Sequence, residues 1–283
     1  MIRTGIIIHY LNEWNKKKFG KGFEDIERCW YNKEGGEGML PFGVWLRRAG
    51  KRAANWLYPR AANCLCCGDP RNASLEDCLC DACREKLKSW RVPPQACDRC
   101  LSPVVKGKPC AFCASPLMKP IEAVFSPYRF GGEVRQLIHA LKFNACGEAA
   151  PLLSRAMADA LTRREFDCIV PVPLHEKRLR QRGFNQALLL CEGLSRGTGV
   201  PVMELLRRDR YRRPQSRTPL KRRGENVSRA FSCPGDAKGL RILLVDDVRT
   251  SGSTAHACAK TLLNAGAESV CLCTAAVVYR RAS

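Results

Sequence analysis

The chain has 283 residues, 45% of them hydrophobic, and its formal net charge at pH 7 is +21. A chain of this size can bury a full domain core, and no apolar run reaches the roughly 20 residues of a membrane-spanning helix. These values exclude a membrane-spanning chain and a small disulfide scaffold, and the charge predicts an anionic partner such as phosphate, pyrophosphate or nucleic acid.

The N-terminal region predicts a cytoplasmic protein. Its longest early apolar run, 5–8, is too short for the apolar core of a signal peptide. In a reducing compartment the 18 cysteines are expected to be metal ligands or buried thiols and not disulfides.

Two segments precede the cysteine-rich region. Residues 1–38 mix charge, glycine and aromatic residues without a sustained period, which predicts a poorly ordered tail and leaves Met39 as a possible true start. Residues 39–63 place apolar side chains at helical spacing with arginine and lysine between them, which predicts a basic amphipathic helix. Such a helix could dock on its own protein, lie on a membrane surface or bind a partner.

Residues 64–118 contain four Cys-x2-Cys pairs. Each tight knuckle presents two thiolates to one point, and two knuckles complete a tetrahedral Zn²⁺ site. We favour Cys67 over the adjacent Cys66 because Gly68 permits the knuckle turn, while Cys78 remains an alternative to Cys80. Sequential pairing therefore predicts two structural Zn²⁺ sites, formed by Cys64, Cys67, Cys80 and Cys83 and by Cys97, Cys100, Cys110 and Cys113.

Residues 119–283 alternate strand and helix patterns, which predicts an α/β domain with a parallel sheet flanked by helices. The basic polar stretch 207–229 interrupts the alternation. The predicted strands are 123–130, 166–172, 241–245 and 269–278, and the predicted helices are 132–142, 148–164, 185–196 and 253–265.

The stretch 242–254, ILLVDDVRTSGST, carries the strongest chemical signal. Ligands bind beyond the carboxyl ends of parallel strands, so Asp246 and Asp247 should face a crevice where they can accept hydrogen bonds from sugar hydroxyls or hold Mg²⁺. The following hydroxyl-rich turn opens a helix, whose amides suit a phosphate. The residues of this turn are Thr250, Ser251, Gly252, Ser253 and Thr254.

This stretch resembles the phosphoribosyl-pyrophosphate signature of type I phosphoribosyltransferases, with Ser251 where threonine is usual. The resemblance implies that Asp246 and Asp247 bind the ribose hydroxyls and that 250–254 bind the 5-phosphate. The strings 170–187, 137–143 and 215–231 are similar to the ComF family, known from natural transformation. In that family a double zinc ribbon precedes an amidophosphoribosyltransferase-like domain, here 119–283. The resemblance covers roughly 40–280.

Basic residues supply candidates for the rest of the ligand. Arg178, Arg180 and Arg182 follow the strand 166–172 and could neutralise a pyrophosphate leaving group at the same sheet edge, with Mg²⁺ shared with substrate oxygens. We assign Arg178 and Arg182 as the pyrophosphate-binding candidates. The segment 207–223 holds nine Lys/Arg in seventeen positions and could close over pyrophosphate, track a single-stranded DNA backbone or remain a solvated loop.

No catalytic base is evident. Thr250 stands where 6-oxopurine members of the resembled family carry an acidic base, and unaided threonine takes no proton at neutral pH. The histidine candidates are His139, His175 and His256. The sequence leaves three functions open. We favour a Mg²⁺-dependent phosphoribosyltransferase, which is a pentosyl-transferring glycosyltransferase, or a sensor of phosphoribosyl pyrophosphate, with an unknown acceptor. The alternatives are a zinc-stapled DNA-binding protein of DNA uptake and an interaction module without a ligand.

Overall fold

The structure is a computed structural model that describes residues 63–69, 73, 78–105, 107–143, 149–161, 165–208 and 230–279. These residues all belong to one compact unit, Arg60–Ser283. The predicted tail 1–38, the predicted helix 39–63 apart from Asn63, and most of the basic stretch 207–229 lie outside the described residues. None of the described helices has the length and apolarity needed to cross a bilayer.

A parallel sheet organises the unit. Its strand order is β1-β7-β6-β3, and β2 also pairs with β7. A separate antiparallel pair, β4 and β5, flanks the undescribed part of the basic stretch. The strands are β1 Val124–Phe125, β2 Tyr128–Arg129, β3 Cys168–Pro171, β4 Arg207–Arg208, β5 Phe231–Ser232, β6 Arg241–Arg249 and β7 Ser269–Val277.

Helices cover both faces of this sheet. The first two lie in the cysteine-rich region, where a 3₁₀ turn, Pro116–Met118, follows the second. The α-helices are α1 Asp81–Lys88, α2 Ala111–Ala114, α3 Gly132–Phe143, α4 Ala149–Asp159, α5 Glu176–Arg182, α6 Gln186–Thr198 and α7 Ser253–Asn264.

The alternation of side chains along β6 creates two hydrophobic cores. Leu243 and Val245 face the core formed with α3, α4 and α6, whereas Ile242 and Leu244 face the core formed with α7. All four side chains are almost fully buried, as expected for a central parallel strand covered on both sides. The predicted fold class, a parallel sheet flanked by helices and preceded by a cysteine-rich module, is confirmed.

The predicted element bounds needed several corrections. The predicted strand 123–130 is two short strands separated by Ser126 and Pro127, and proline cannot donate to a ladder. The predicted helix 148–164 ends at Asp159. The α5 helix was not predicted because its sequence, EKRLRQR, has no apolar stripe, and it is instead defined by its caps, His175 and Gly183.

One ion pair ties the start of β6 to the start of β3. Arg241 donates to both carboxylate oxygens of Asp167, from Nε at 3.2 Å and from Nη2 at 2.9 Å, and its backbone amide donates to the same carboxylate at 2.7 Å. These bonds to Arg241 lower the pKa of Asp167 to about 2. The contacts stabilise the register in which Cys168 pairs with Ile242.

We therefore expect Asp167→Asn to lower the free energy of unfolding at pH 7. The folded-state pKa of Asp167 is depressed, so its contribution is present above the unfolded value of about 4 and is lost as the pH falls towards 2. Urea unfolding of wild type and variant at pH 7 and pH 3 measures the difference. An equal difference at both pH values would show that the carboxylate charge does not contribute.

Candidate functional site

A step in the sheet creates the candidate site. The last residue of β3, Pro171, pairs with Val245, and beyond this point β6 continues alongside β7 as far as Arg249. The predicted strand 241–245 was therefore too short, because β7 extends the ladder by four residues. Asp246 and Asp247 lie within β6, at the place where β3 leaves the sheet and opens its carboxyl edge.

The two aspartates occupy different environments. Asp246 is partly exposed and lines a pocket that is open to solvent. Its Oδ1 accepts a hydrogen bond from the Asp247 amide at 2.8 Å. Burial of the carboxyl raises the pKa of Asp246 well above its usual value, and the charge of Asp247 adds to this effect. Asp246 is thus the carboxylate available to a ligand in the pocket.

Asp247 is held behind the pocket. The residue is only 6% exposed, and its Oδ1 accepts from the Val248 amide at 2.9 Å. Its Oδ2 lies 2.5 Å from Nζ of Lys142, at the last turn of α3. Lys142 belongs to the string LIHALKF, but no local pattern in that string indicated a partner on β6. The predicted ribose contact of Asp247 stays a prediction, since the carboxylate already has two partners.

Residues 250–254, which we call the phosphate loop, join β6 to α7. Gly252 adopts the left-handed conformation at φ 78°, which glycine accepts without a steric penalty. Ser251 Oγ lies 2.9 Å from Ser253 Oγ. The helix then begins, with the His256 amide donating to the carbonyl of Gly252 at 2.8 Å. The last two residues of the loop, Ser253 and Thr254, thus form the amino end of α7, where the helix dipole is positive.

Three phosphate-loop residues also line the pocket that Asp246 lines: Thr250, Gly252 and Thr254. Thr274 lies there too, opposite Asp246 on β7. Its side chain is fully buried, and its Oγ1 has no hydrogen-bond partner in the structure. A buried hydroxyl without a partner costs free energy unless a ligand or water satisfies it. Thr274 was not predicted as a site residue because its neighbours in sequence form an apolar strand.

The arginines predicted to bind pyrophosphate lie on α5, a helix that was not predicted. Arg178 is exposed. Arg180 Nη2 lies 3.9 Å from Glu176 Oε2, and Arg182 Nη1 donates to Gln186 Oε1 at 3.1 Å. None of the three lines the Asp246 pocket.

Arg208, at the end of β4, lies between the α5 arginines and the Asp246 pocket in its electrostatic interactions. Its guanidinium lies 5.2 Å from the Phe231 ring centroid. Burial lowers its pKa, the charge of Arg178 lowers it further, and Asp246 opposes the shift. Arg208 thus lies within electrostatic range of both Arg178 and Asp246. Its Nε is buried and has no hydrogen-bond partner among the described residues. In the sequence, Arg208 is only one member of a basic run.

The histidine candidates lie elsewhere, and none of them lines the Asp246 pocket. His175 caps α5 by accepting from the Lys177 amide at 3.1 Å. His256 Nδ1 is 3.3 Å from the Leu117 carbonyl oxygen, and His139 is exposed on α3. No catalytic base is therefore assigned from the described residues.

The eight predicted cysteine ligands form two groups, in the sequential pairing. The first cysteine cluster comprises Cys64, Cys67, Cys80 and Cys83, and the second comprises Cys97, Cys100, Cys110 and Cys113. Within each group the four sulfur atoms lie within 4.8 Å of one another. Four sulfurs at about 2.3 Å from a tetrahedral Zn²⁺ stand about 3.8 Å apart. The distances of 3.7 Å from Cys67 to Cys80 and 3.6 Å from Cys97 to Cys113 fit this geometry.

Neighbouring cysteines are separated from these groups. Cys66 Sγ donates to the Glu133 carbonyl oxygen at 3.6 Å, and burial raises its pKa to about 12. The pKa of Cys64 moves the other way, to about 6: burial opposes the change, but the amides of Cys67 and Cys80 favour the thiolate. The geometry therefore selects Cys67 over Cys66 and Cys80 over Cys78, and the two cysteine clusters could hold zinc ions.

No family model matches the chain, but curated proteins do. DNA utilization protein YhgH of Salmonella typhi is 33% identical over 208 residues, which cover 69% of this chain and 89% of the relative. Competence protein F of Haemophilus influenzae is 27% identical over 209 residues, which cover 68% and 87%.

A solved structure of glutamine phosphoribosylpyrophosphate amidotransferase from B. subtilis, complexed with ADP and GMP, aligns at 24% identity and a TM-score of 0.33. The alignment covers 44% of this chain and 25% of that one.

Proposed function

The chain belongs to the ComF family of DNA utilization and competence proteins, and from this membership we propose that it binds phosphoribosyl pyrophosphate with Mg²⁺ and transfers or senses its ribose 5-phosphate group. In this proposal residues 119–283 bind the ligand, residues 64–118 form a zinc-stapled docking module, and the protein acts in the cytoplasm.

One observation carries the proposal: Asp246, the phosphate loop and the unpartnered hydroxyl of Thr274 line a single pocket. A carboxylate suits ribose hydroxyls, and the amino end of α7 suits the 5-phosphate. The distance along the chain between these groups is only a few residues, so they can engage opposite ends of one ribose 5-phosphate.

Pyrophosphate carries the remaining charge of this ligand. We propose that Arg208 and Arg178 receive it, because Arg208 lies within electrostatic range of both Asp246 and Arg178. Mg²⁺ prefers oxygen ligands and keeps several substrate or water oxygens, so it needs no protein cage here. In transfer, the bond from ribose C1 to pyrophosphate breaks, a bond from C1 to the acceptor forms, and the bound cations stabilise the leaving charge.

Calorimetric titration of phosphoribosyl pyrophosphate into the full chain, loaded with Zn²⁺ and supplied with Mg²⁺, tests the proposal. We expect saturable binding at one site, with a large loss of affinity when Mg²⁺ is withheld. Ribose 5-phosphate should bind more weakly because it lacks the pyrophosphate. A folded, zinc-loaded protein that produces no binding heat would overturn the proposal.

The basic stretch favours a second candidate function, binding of single-stranded DNA during DNA uptake. Nine of the seventeen residues 207–223 are Lys or Arg, and one relative is named for DNA utilization. Phosphate-backbone binding falls steeply with salt because counterions are released. The same titration with an oligonucleotide at low and high salt distinguishes the two ligands, since the pocket-bound sugar phosphate should resist salt better.

A further inference from the structure

A phenyl ring next to two ligands of the second cysteine cluster packs close to the phosphate loop. Phe112 lies on α2 between Cys110 and Cys113. Its Cζ is 3.1 Å from the position that a Cβ on Gly252 would occupy. A side chain at residue 252 would therefore press on the ring, which would have to shift by a few tenths of an ångström to make room.

A second contact holds the residue that leads into the loop. Arg249 is 3% exposed, and its guanidinium lies 4.4 Å from the centroid of the Phe112 ring. Its Nη2 donates to Ser102 Oγ at 3.3 Å. The Ser102 carbonyl oxygen in turn accepts from the Cys97 amide at 2.9 Å. Both of these partners of the Arg249 side chain therefore lie within 97–113, the segment that carries the second cysteine cluster.

A third contact follows the loop. His256, in the first turn of α7, approaches the Leu117 carbonyl oxygen at 3.3 Å, and Leu117 lies in the 3₁₀ turn directly after α2. The cysteine-rich module thus touches the polypeptide before, within and after the phosphate loop. All three contacts come from residues 102–117, which include two of the four cysteines of the second cluster, Cys110 and Cys113.

The position of Phe112 depends on the cluster. Helix α2 has only four residues, too few to be stable alone. The cysteine ligands on either side of Ala111 and Phe112 hold this turn when all four thiolates share one ion. Four thiolates around one Zn²⁺ also leave a net negative charge, which favours the buried cation of Arg249.

We propose that Phe112 is a positioning residue, through which the metal-loaded second cysteine cluster holds the phosphate loop in its phosphate-binding conformation. This inference rests on the proposed binding of phosphoribosyl pyrophosphate. The ligand does not touch Phe112; the ring acts by supporting Gly252 and Arg249. Without the metal, the Phe112 ring would no longer be held in place. The ligand would then have to order the phosphate loop when it binds, which would cost binding free energy.

The first cysteine cluster has no such contact with the phosphate loop among the described residues. It packs with the other face of the sheet, where neighbouring Cys66 meets Glu133 in the first turn of α3. The two clusters share one chemistry and differ in what they touch. Metal loss from each cluster should therefore have different effects on ligand binding.

The test is calorimetric titration of phosphoribosyl pyrophosphate and Mg²⁺ into the full chain, with zinc content measured on each sample. We expect Phe112→Leu to retain its zinc and to bind about tenfold more weakly than wild type. Phe166→Leu makes the same change at a ring that packs edge-on against Phe125, away from the loop, and should bind like wild type. A zinc-loaded Phe112→Leu protein with wild-type affinity would overturn the inference.

A second pair of variants covers the case in which Phe112→Leu fails to fold. Cys113→Ser and Cys67→Ser each remove one thiolate ligand, from the second and first cluster respectively. Cys113→Ser should lose the larger part of the binding affinity, and equal losses would contradict the inference. If wild type itself does not bind, the proposed function fails and not the role of Phe112, so the two failures are distinguishable.

Discussion

Asp246→Asn is expected to weaken the binding of phosphoribosyl pyrophosphate with Mg²⁺ by about a hundredfold or more. Asp246 is the aspartate that lines the pocket, and asparagine can neither carry the charge nor offer two acceptor oxygens to vicinal hydroxyls. Hydrogen bonds to a charged group contribute about 1.5–3 kcal/mol each, so losing one or two produces an effect of this size.

Calorimetry of the variant measures this effect, with Asp159→Asn as the matched control. Asp159 is an exposed residue at the end of α4, and its replacement should leave the affinity unchanged. An Asp246→Asn protein with wild-type affinity would show that the pocket carboxylate is not a ligand.

Wild type and the Asp246→Asn variant should also differ in how ligand affinity depends on pH. Burial raises the pKa of Asp246, so the carboxyl gains a proton at a higher pH than an ordinary aspartate does. If the ligand needs the carboxylate, wild-type affinity falls as the pH decreases through this raised pKa. The Asp246→Asn protein should lack this component, and the ligand's own phosphate titration, common to both proteins, cancels in the comparison.

The second large effect concerns stability. Lys142→Met is expected to lower the free energy of unfolding by about 3 kcal/mol, because it leaves the carboxylate of Asp247 buried without its cation. Asp247 is only 6% exposed, and the ion pair with Lys142 is the contact of its Oδ2 among the described residues. Urea unfolding at pH 7 measures the loss.

The control for this prediction is a double-mutant cycle. Asp247→Asn removes the charge that Lys142→Met strands, so the double variant should recover most of the lost stability. If the two losses simply add, the residues do not interact and the ion pair is not the cause. The cycle measures folding alone and does not depend on the ligand.

The local features of this protein could be predicted because short segments encode them. Alternating burial along β6 follows from its aliphatic run, and Gly252 and its hydroxyl neighbours mark a turn into a helix. The Cys-x2-Cys spacing similarly identified the thiolates that the structure groups together, since a knuckle needs only four consecutive residues. In each case the partners are neighbours in sequence.

Short and charged elements were harder to predict. Helix α5 has no apolar face, so hydrophobic periodicity could not detect it. The true length of β6 depends on β7, which continues the ladder through Arg249. Asp246 and Asp247 therefore lie within the strand, whereas the hydrophobic pattern of β6 taken alone would end the strand before them.

The sequence alone determined the class of fold, the grouping of eight cysteines into two clusters and the segment that carries the candidate site, because periodicity and spacing are local properties. Only the tertiary structure decided what each site residue meets. It places Lys142 against Asp247, Thr274 beside Asp246 and Phe112 on Gly252. The physical reason is that packing brings together groups from distant segments, and no pattern within one segment records its partner in another.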